Sequence, residues 1–498
     1  MKTEKTKLKD NIVFRSIIIP ICICLCFFFK YIPNSAGLSE SAMGVIGIFI
    51  GVLILWLTIG ICWPSLLCIF SLFFIKDLSV KQVFENSFGN EIFIFLIFTF
   101  ACTYALSKTL IIKRIALWFV TNKLAKKGGW WLVILFFTSV LFLGMFISPT
   151  VLFVVCLPIV KKIIEIANIQ KGEKVGKMLL LGLGFSVSIS SGMTPIAHVF
   201  PIIAMNMAHL KISYVEYMGF GIPIGILCFI AMILIFKFIL RPDISKLRNI
   251  NVSIVKAEMP KITKKEIICL SIFCLVILLW IIPSLFKEVS PSFYNAINRY
   301  GTAMPPIAGT ILLCIIRVEK KPLIEINDAF KNGIPWASLL MCASTLALGN
   351  ALLSDAIGLK LFIQTSLSKS LVGLNIWVLV TVFAIWTMLQ TNLSSNMITA
   401  TLVASVAAAI ISSTEIKNLT AIIWIIGLAS AFAFSTPPSM PHIAIVAGDD
   451  YCDTKTVLIY GSILMLISTV IIIGIGYPSA LCLATTIEKL ERYKKWKI

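Results

Sequence analysis

Thr391-Asn392-Leu393-Ser394-Ser395-Asn396-Met397-Ile398-Thr399-Ala400-Thr401 is a run of small and polar residues inside an apolar segment that extends from near Ile376 to near Ile411. The segment is too long for one crossing, since about 20 residues span a bilayer. It predicts two half-crossings that meet at a polar tip: a re-entrant hairpin over 374–411 with Ser395-Asn396 at its apex. Non-helical backbone at that depth is tolerated only where it is buried in protein or lines a wet cavity. A similar segment, 130–164, carries Ser148-Pro149-Thr150 at its middle. Each hairpin is followed by an interrupted apolar segment. The first, 178–207, is broken around Ser186–Pro195, and the second, 419–447, around Ser435-Thr436-Pro437-Pro438. Hairpin then broken helix, twice in one chain, is the order expected of carriers built from inverted repeats, with a site where the broken elements meet near the midplane.

Working outward, composition sets the class. The chain has 498 residues, of which 59% are hydrophobic and 13% charged. A soluble domain could not bury that much apolar surface, so the prediction is an all-α polytopic membrane protein. The net charge of +20 sits in short loops between apolar spans, where it reads as the positive-inside bias facing anionic lipid and not as nucleic-acid binding. Thirteen of the fourteen cysteines lie in or at the edge of apolar spans, no C-x-x-C pair occurs, and there are three histidines. They read as small apolar fillers, with no zinc cluster. Enzyme signatures are absent: Gly172–Lys177 is too short for a phosphate loop, and neither H-E-x-x-H nor G-x-S-x-G occurs.

The organisation read from hydropathy has five parts: 1–42, a cytoplasmic amino terminus and first span; 43–240, a first repeat; 241–265, a basic cytoplasmic loop; 266–447, a second repeat; and 448–498, a last span and basic tail. Met43–Phe74 reads as one span, and a Trp-containing piece near Ala116–Thr121 has no assignment. Four lysines in 1–10 and the basic loops Arg241–Lys265 and Arg317–Lys331 place the amino terminus on the cytoplasmic side of a plasma (inner) membrane. The tail 489–497 then falls outside, against that rule. The first apolar run lacks a small-residue cleavage site and is followed by Lys30, so no cleavable signal is expected.

The hairpins and broken segments hold no Asp or Glu, which argues against a proton antiporter built on a buried carboxylate. A helix that ends in mid-membrane presents about half a unit charge, positive at its N-terminus and negative at its C-terminus. A small dianion could be met by N-termini at the tips and breaks, with sodium on the carbonyl side and Ser, Thr and Asn oxygens completing its shell. Ser and Thr in membrane helices also simply bond back to their own helix, and Pro437-Pro438 alone could be a plain kink. His198 and His442 are either site residues or satisfied core residues. The functional reading rests on coincidence, since Ser148/Thr150, Ser190/Thr194, Ser395/Asn396 and Ser435/Thr436/Pro437 all fall at breaks.

At these residues the chain resembles the divalent anion:sodium symporter family, carriers of di- and tricarboxylates and sulfate. Trp56-Leu57-Thr58 with Pro64, Ser87-Phe88-Gly89-Asn90 and Lys113–Trp118 are similar to that family's stretches. Ser395-Asn396-Met397 matches its second S-N-T tip except at Met397, and Ser148-Pro149-Thr150 the first except at Pro149. Its T-P-P positions are taken by His198-Val199-Phe200 and Met440-Pro441-His442. The resemblance implies substrate contacts at Ser148, Thr150, His198, Ser395, Asn396, Met440 and Pro441. It implies one sodium site at Thr391, Ser394, Asn396 and Ser439, and a second, reduced one at Ser148 and Ala197, because Gly144 and Pro149 remove side-chain oxygens. It further implies a homodimer. The reading is a sodium-coupled carrier of small divalent anions such as succinate, malate, citrate or sulfate. Alternatives are a sodium-independent exchanger, a proton-coupled carrier using His198 and, more remotely, a membrane enzyme or channel.

Overall fold

The computed structural model describes residues 12–33, 37–196, 198–208, 210, 214–248, 259–285, 290–359, 362, 375–412, 419–437 and 439–486. These residues are overwhelmingly helical, and eight of the described helices are long and apolar enough to cross a bilayer. The all-α polytopic membrane class therefore holds. The strands β1 (Arg317–Val318) and β2 (Lys321–Pro322) form a two-residue hairpin in a loop.

In chain order the first elements are α1 (Ile12–Phe28), α2 (Glu40–Thr58), α3 (Cys62–Leu72), α4 (Val80–Asn86), α5 (Glu91–Ser107) and α6 (Ile111–Thr121). Their starts follow capping chemistry: Ser39 accepts the N–H of Ala42, Ser79 and Gln82 form a capping box, and Asn90 accepts the N–H of Ile92. The single span read over Met43–Phe74 is in fact two helices. They part at Gly60, whose φ of +151° is a conformation that only glycine adopts readily. The Trp-containing piece is the end of α6, joined to the bundle by an Arg114–Glu266 ion pair at 2.5 Å.

The next four helices are α7 (Trp130–Gly144), α8 (Pro149–Ile166), α9 (Lys174–Met193) and α10 (Phe200–Met207). The 15 residues of α7 rise about 22 Å, short of the ~30 Å hydrocarbon core. Pro149 opens α8 at a position where its missing N–H costs nothing. Thr194, just before Pro195, is extended (φ −136°, ψ 149°), as expected of a residue preceding proline, and α9 stops there.

After α11 (Tyr214–Ile235), α12 (Lys264–Leu285), α13 (Pro291–Asn298), α14 (Met304–Ile315) and α15 (Trp336–Leu353), the pattern returns. The helices α16 (Ile376–Leu393) and α17 (Asn396–Ser412) flank Ser394-Ser395. The helices α18 (Leu419–Ala429) and α19 (Pro441–Ala447) flank an unwound stretch, and α20 (Thr454–Ile471) follows. Met440 precedes Pro441 and is extended (φ −147°, ψ 145°). Packing between the two sets is reciprocal: α8 lies on α9 and α19, α17 lies on α18 and α10, and α10 lies on α18. The early helices α3 and α5 pack instead on α15 and α14.

Candidate functional site

The unwound stretch between α18 and α19 is held by the second tip. Asn392, 2% exposed, accepts the backbone N–H groups of Phe434 (2.7 Å) and Ser435 (2.8 Å) through Oδ1. Its Nδ2 donates to Phe432 O (2.9 Å), and its carbonyl accepts the Thr436 hydroxyl. Next to it, Thr391 Oγ1 donates to Ser430 O at 2.5 Å. From the first broken helix, Ser188 Oγ donates to Ala433 O at 2.8 Å. Buried backbone that leaves a helix must find such partners, and three side chains supply them. The first break is tied likewise, Thr194 Oγ1 donating to Met145 O of the first tip and Tyr217 Oη to Gly192 O at 2.8 Å. Asn392 and Ser188 hold the unwound backbone, a role the sequence pattern does not assign them.

Of the candidate substrate contacts, Asn396 is 2% exposed and neither atom of its amide has a partner. A buried orphan amide costs about 1–3 kcal/mol per group, and both atoms of this one are open to a further partner. Ser435 Oγ is orphaned in the same way. Ser148 and Ser395 are half-buried at the two tips, Thr150 and Pro441 are exposed, and Met440 is buried. His198 is half-buried, its ring stacked on Phe200 with centroids 3.8 Å apart. Its Nδ1 accepts the N–H of Val199 at 2.9 Å.

Three of the four residues at the second-half candidate sodium site share one property. Thr391 Oγ1, Ser394 Oγ and Ser439 Oγ each give their proton to a backbone carbonyl, Ser430 O, Gln390 O (3.0 Å) and Thr436 O (2.5 Å) respectively. Their lone pairs are thus left for a cation, and Asn396 Oδ1 is free to join them. Hard cations take oxygen ligands of this kind, so the residues fit sodium. In the first half Ala197 lies outside the described residues, and Ser148 has no capping bond. A Cβ on Gly144 would sit 1.9 Å from Ser190 Oγ, so the Ser190 hydroxyl occupies the space that a side chain at 144 would claim.

No charged side chain occurs in 130–160, 178–207, 376–412 or 419–447. Charge lies at the rims, where Lys161–Asp449 (2.5 Å) and Lys177–Asp453 (3.0 Å) tie α8 and α9 to the turn before α20. Two crevices border α6, and the second reaches Ile147, next to the first tip. One, of about 450 Å³, is lined by Arg114, Trp118 and Met259; the other, apolar and of about 380 Å³, is lined by Ile112, Phe146 and Phe273 among others.

The profile of the sodium:sulfate symporter transmembrane region matches residues 11–485. The sodium-dependent dicarboxylate transporter of Staphylococcus saprophyticus is 25% identical over 461 residues, covering 89% of this chain and 86% of that protein. A protein of the same description from Staphylococcus aureus is 26% identical over 444 residues, 85% and 83% of the two chains. The sodium-dependent high-affinity dicarboxylate transporter 3 of Caenorhabditis elegans is 24% identical over 407 residues, 74% and 70%. These relatives are transporters, not enzymes.

Proposed function

This chain belongs to the sodium:sulfate symporter family, and we propose that it is a sodium-coupled secondary transporter of small divalent anions, di- or tricarboxylates first, working by alternating access. The observation that carries the reading is the unpartnered, buried Asn396 amide on the same tip as Thr391 and Ser394, with Ser439 in the break which that tip clamps through Thr436, three hydroxyls whose protons are already committed. A dianion brought into a region without permanent charge needs compensation, because desolvating an ion costs several kcal/mol even after relaxation. Helix N-termini at α8 and α17 supply part of it, and co-bound sodium supplies the rest. The named relatives, described as sodium-dependent dicarboxylate transporters, favour carboxylates over sulfate.

Two inverted repeats are part of this proposal, supported by the reciprocal packing of each hairpin on the other set's second half-helix. Each hairpin re-enters from its own side, the amino terminus and the basic loop 241–265 face the cytoplasm, and the carrier works as a homodimer in the plasma membrane. The sodium site at Thr391, Ser394, Asn396 and Ser439 is the stronger. The first-half site at Ser148 and Ala197 is weakened, and that loss is what favours the second reading, sodium-independent exchange. A protonated His198 would have to give up the bond its Nδ1 accepts from Val199, which counts against a proton route through that residue.

Uptake of labelled succinate, citrate and sulfate into proteoliposomes tests the proposal. Accumulation is expected with an inward sodium gradient and not with potassium. Equal rates in both salts, with strong acceleration by substrate inside, would replace symport with exchange.

A further inference from the structure

His442 is 1% exposed, in the first turn of α19, its ring 5.8 Å from that of Phe153 on α8. Its Nε2 lies 2.8 Å from Ser188 Oγ. Ser188 has a single hydroxyl proton, and that proton is given to Ala433 O, which can only accept. The proton in the His442–Ser188 contact must therefore come from the histidine. Nε2 carries a hydrogen, and in the neutral ring Nδ1 is a bare lone pair. Nδ1 is buried and has no partner. The wire Nε2–H to Ser188 to Ala433 O is equally intact whether Nδ1 is empty or protonated, so Nδ1 is the one nitrogen free to titrate.

Among the described residues, the surroundings supply no fixed charge to settle that nitrogen. The elements packed on α19 are α8, α9 and α20. Their titratable groups include Lys161, Lys162, Glu165 and Cys156 on α8, Lys174 and Lys177 on α9, and Lys455 and Tyr460 on α20. Lys161 and Lys177 are paired with Asp449 and Asp453, past the far end of α19. His198, the other described histidine, precedes α10, and its Nδ1 accepts the N–H of Val199. A carboxylate arriving beside Met440 and Pro441 would be the negative charge that Nδ1 lacks.

Resting on the transport reading, we propose that His442 takes up one proton at Nδ1 together with the bound anion, so that the site accepts a dicarboxylate plus a proton in addition to sodium. The N–H bond forms on Nδ1 as the proton leaves water or the acid form of the substrate, and it breaks on release; no electrons move. Protonated Nδ1 donates to a substrate carboxylate oxygen, while Nε2–H keeps its bond to Ser188.

The test uses purified protein in nanodiscs with sodium and succinate, in weak buffer containing a pH dye, over a range where free succinate is fully ionised. Uptake approaching one proton per succinate bound is expected, with affinity falling about tenfold per pH unit. His442→Gln keeps a donor toward Ser188 and deletes Nδ1, so uptake should vanish. His442→Asn places a permanent donor near Nδ1, so binding should become pH-independent. Succinate binding without proton uptake in the parent, or undiminished uptake in His442→Gln, overturns the proposal and leaves the carrier reading intact. If no succinate, citrate or sulfate stabilises the parent at any pH with sodium, the carrier reading fails and this proposal with it.

Discussion

The side-chain oxygen of Asn392 accepts the backbone N–H of Phe434 at 2.7 Å, so a hairpin tip provides the partner that an unbroken helix would have provided. Removing it strands the N–H groups of Phe434 and Ser435 and the carbonyl of Phe432. Each buried orphan costs about 1–3 kcal/mol, so Asn392→Ala is expected to lower unfolding free energy by about 3 kcal/mol or more and to abolish transport. Asn392→Asp keeps the acceptor but turns the donor toward Phe432 O into a repulsion, and should fall at least as far. Denaturant titration in mixed micelles measures both, and a parent-like Asn392→Ala midpoint would show that the break holds itself.

How much of this was legible beforehand differs by element. The ends at Pro149 and Pro441 were, because proline excludes helical backbone from the residue before it; the first break, read around Ser186–Pro195, is instead helical through Met193, Ser190 included, and begins at Thr194. The membrane class was too, from hydropathy alone. The parting of α2 and α3 at Gly60 was not, because apolar residues flank it on both sides and a glycine within a span is commonplace. Nor was the role of Asn392. Its partners lie 40 to 44 residues away, and a tip asparagine looks the same whether it faces a ligand, as Asn396 can, or clamps a neighbour. Ser188 was hidden for a similar reason, one serine among several in Ser186–Ser191.

In the proposed sodium site Thr391 has a structural bond and a ligand role at once. Its hydroxyl proton goes to Ser430 O at 2.5 Å, which frees its lone pairs for sodium. Thr391→Val keeps the shape and removes both functions. The expected result is about a tenfold rise in the sodium needed for half-maximal stabilisation, the equivalent of about 1.4 kcal/mol. Thr391→Ser should recover most of it. An unchanged sodium midpoint in a Thr391→Val melting series would take this oxygen out of the site.

Gly144 and Ser190 share one space. A Cβ at 144 would lie 1.9 Å from Ser190 Oγ and 2.7 Å from its Cβ, so Gly144→Ser alone forces the tip away from α9. Overpacking of this kind costs typically 1–3 kcal/mol. Ser190→Gly in the same chain should recover most of that loss, giving a coupling energy well above the ~0.5 kcal/mol seen for independent sites. Additive effects in the four-protein cycle would mean that the two residues do not compete. If the double variant also shows a stronger sodium dependence, an oxygen at 144 has restored a ligand to the first half.

Asp453 reports on the rim. It caps α20, accepting the Thr456 N–H at 2.8 Å, and pairs with Lys177 at 3.0 Å. The hydrogen bond from the Thr456 backbone, with Lys177 beside it, lowers its carboxyl from 3.8 to about 2. For a depressed carboxylate the stability contributed is complete above the unfolded value of 3.8 and is lost as pH falls toward about 2. Because the carboxylate is exposed, screening holds the contribution to at most about 1 kcal/mol. Asp453→Ala should therefore cost about 1 kcal/mol at neutral pH through the lost cap. Asp453→Asn, which keeps a capping oxygen, should cost less and should lack the acid dependence. The parent's melting midpoint should approach that of Asp453→Asn as pH falls toward about 2 and its carboxylate protonates, while Asp453→Ala, with no capping oxygen, stays below both. A parent-to-variant gap that stays constant through that window would show that neither the cap nor Lys177 depends on the charge of Asp453.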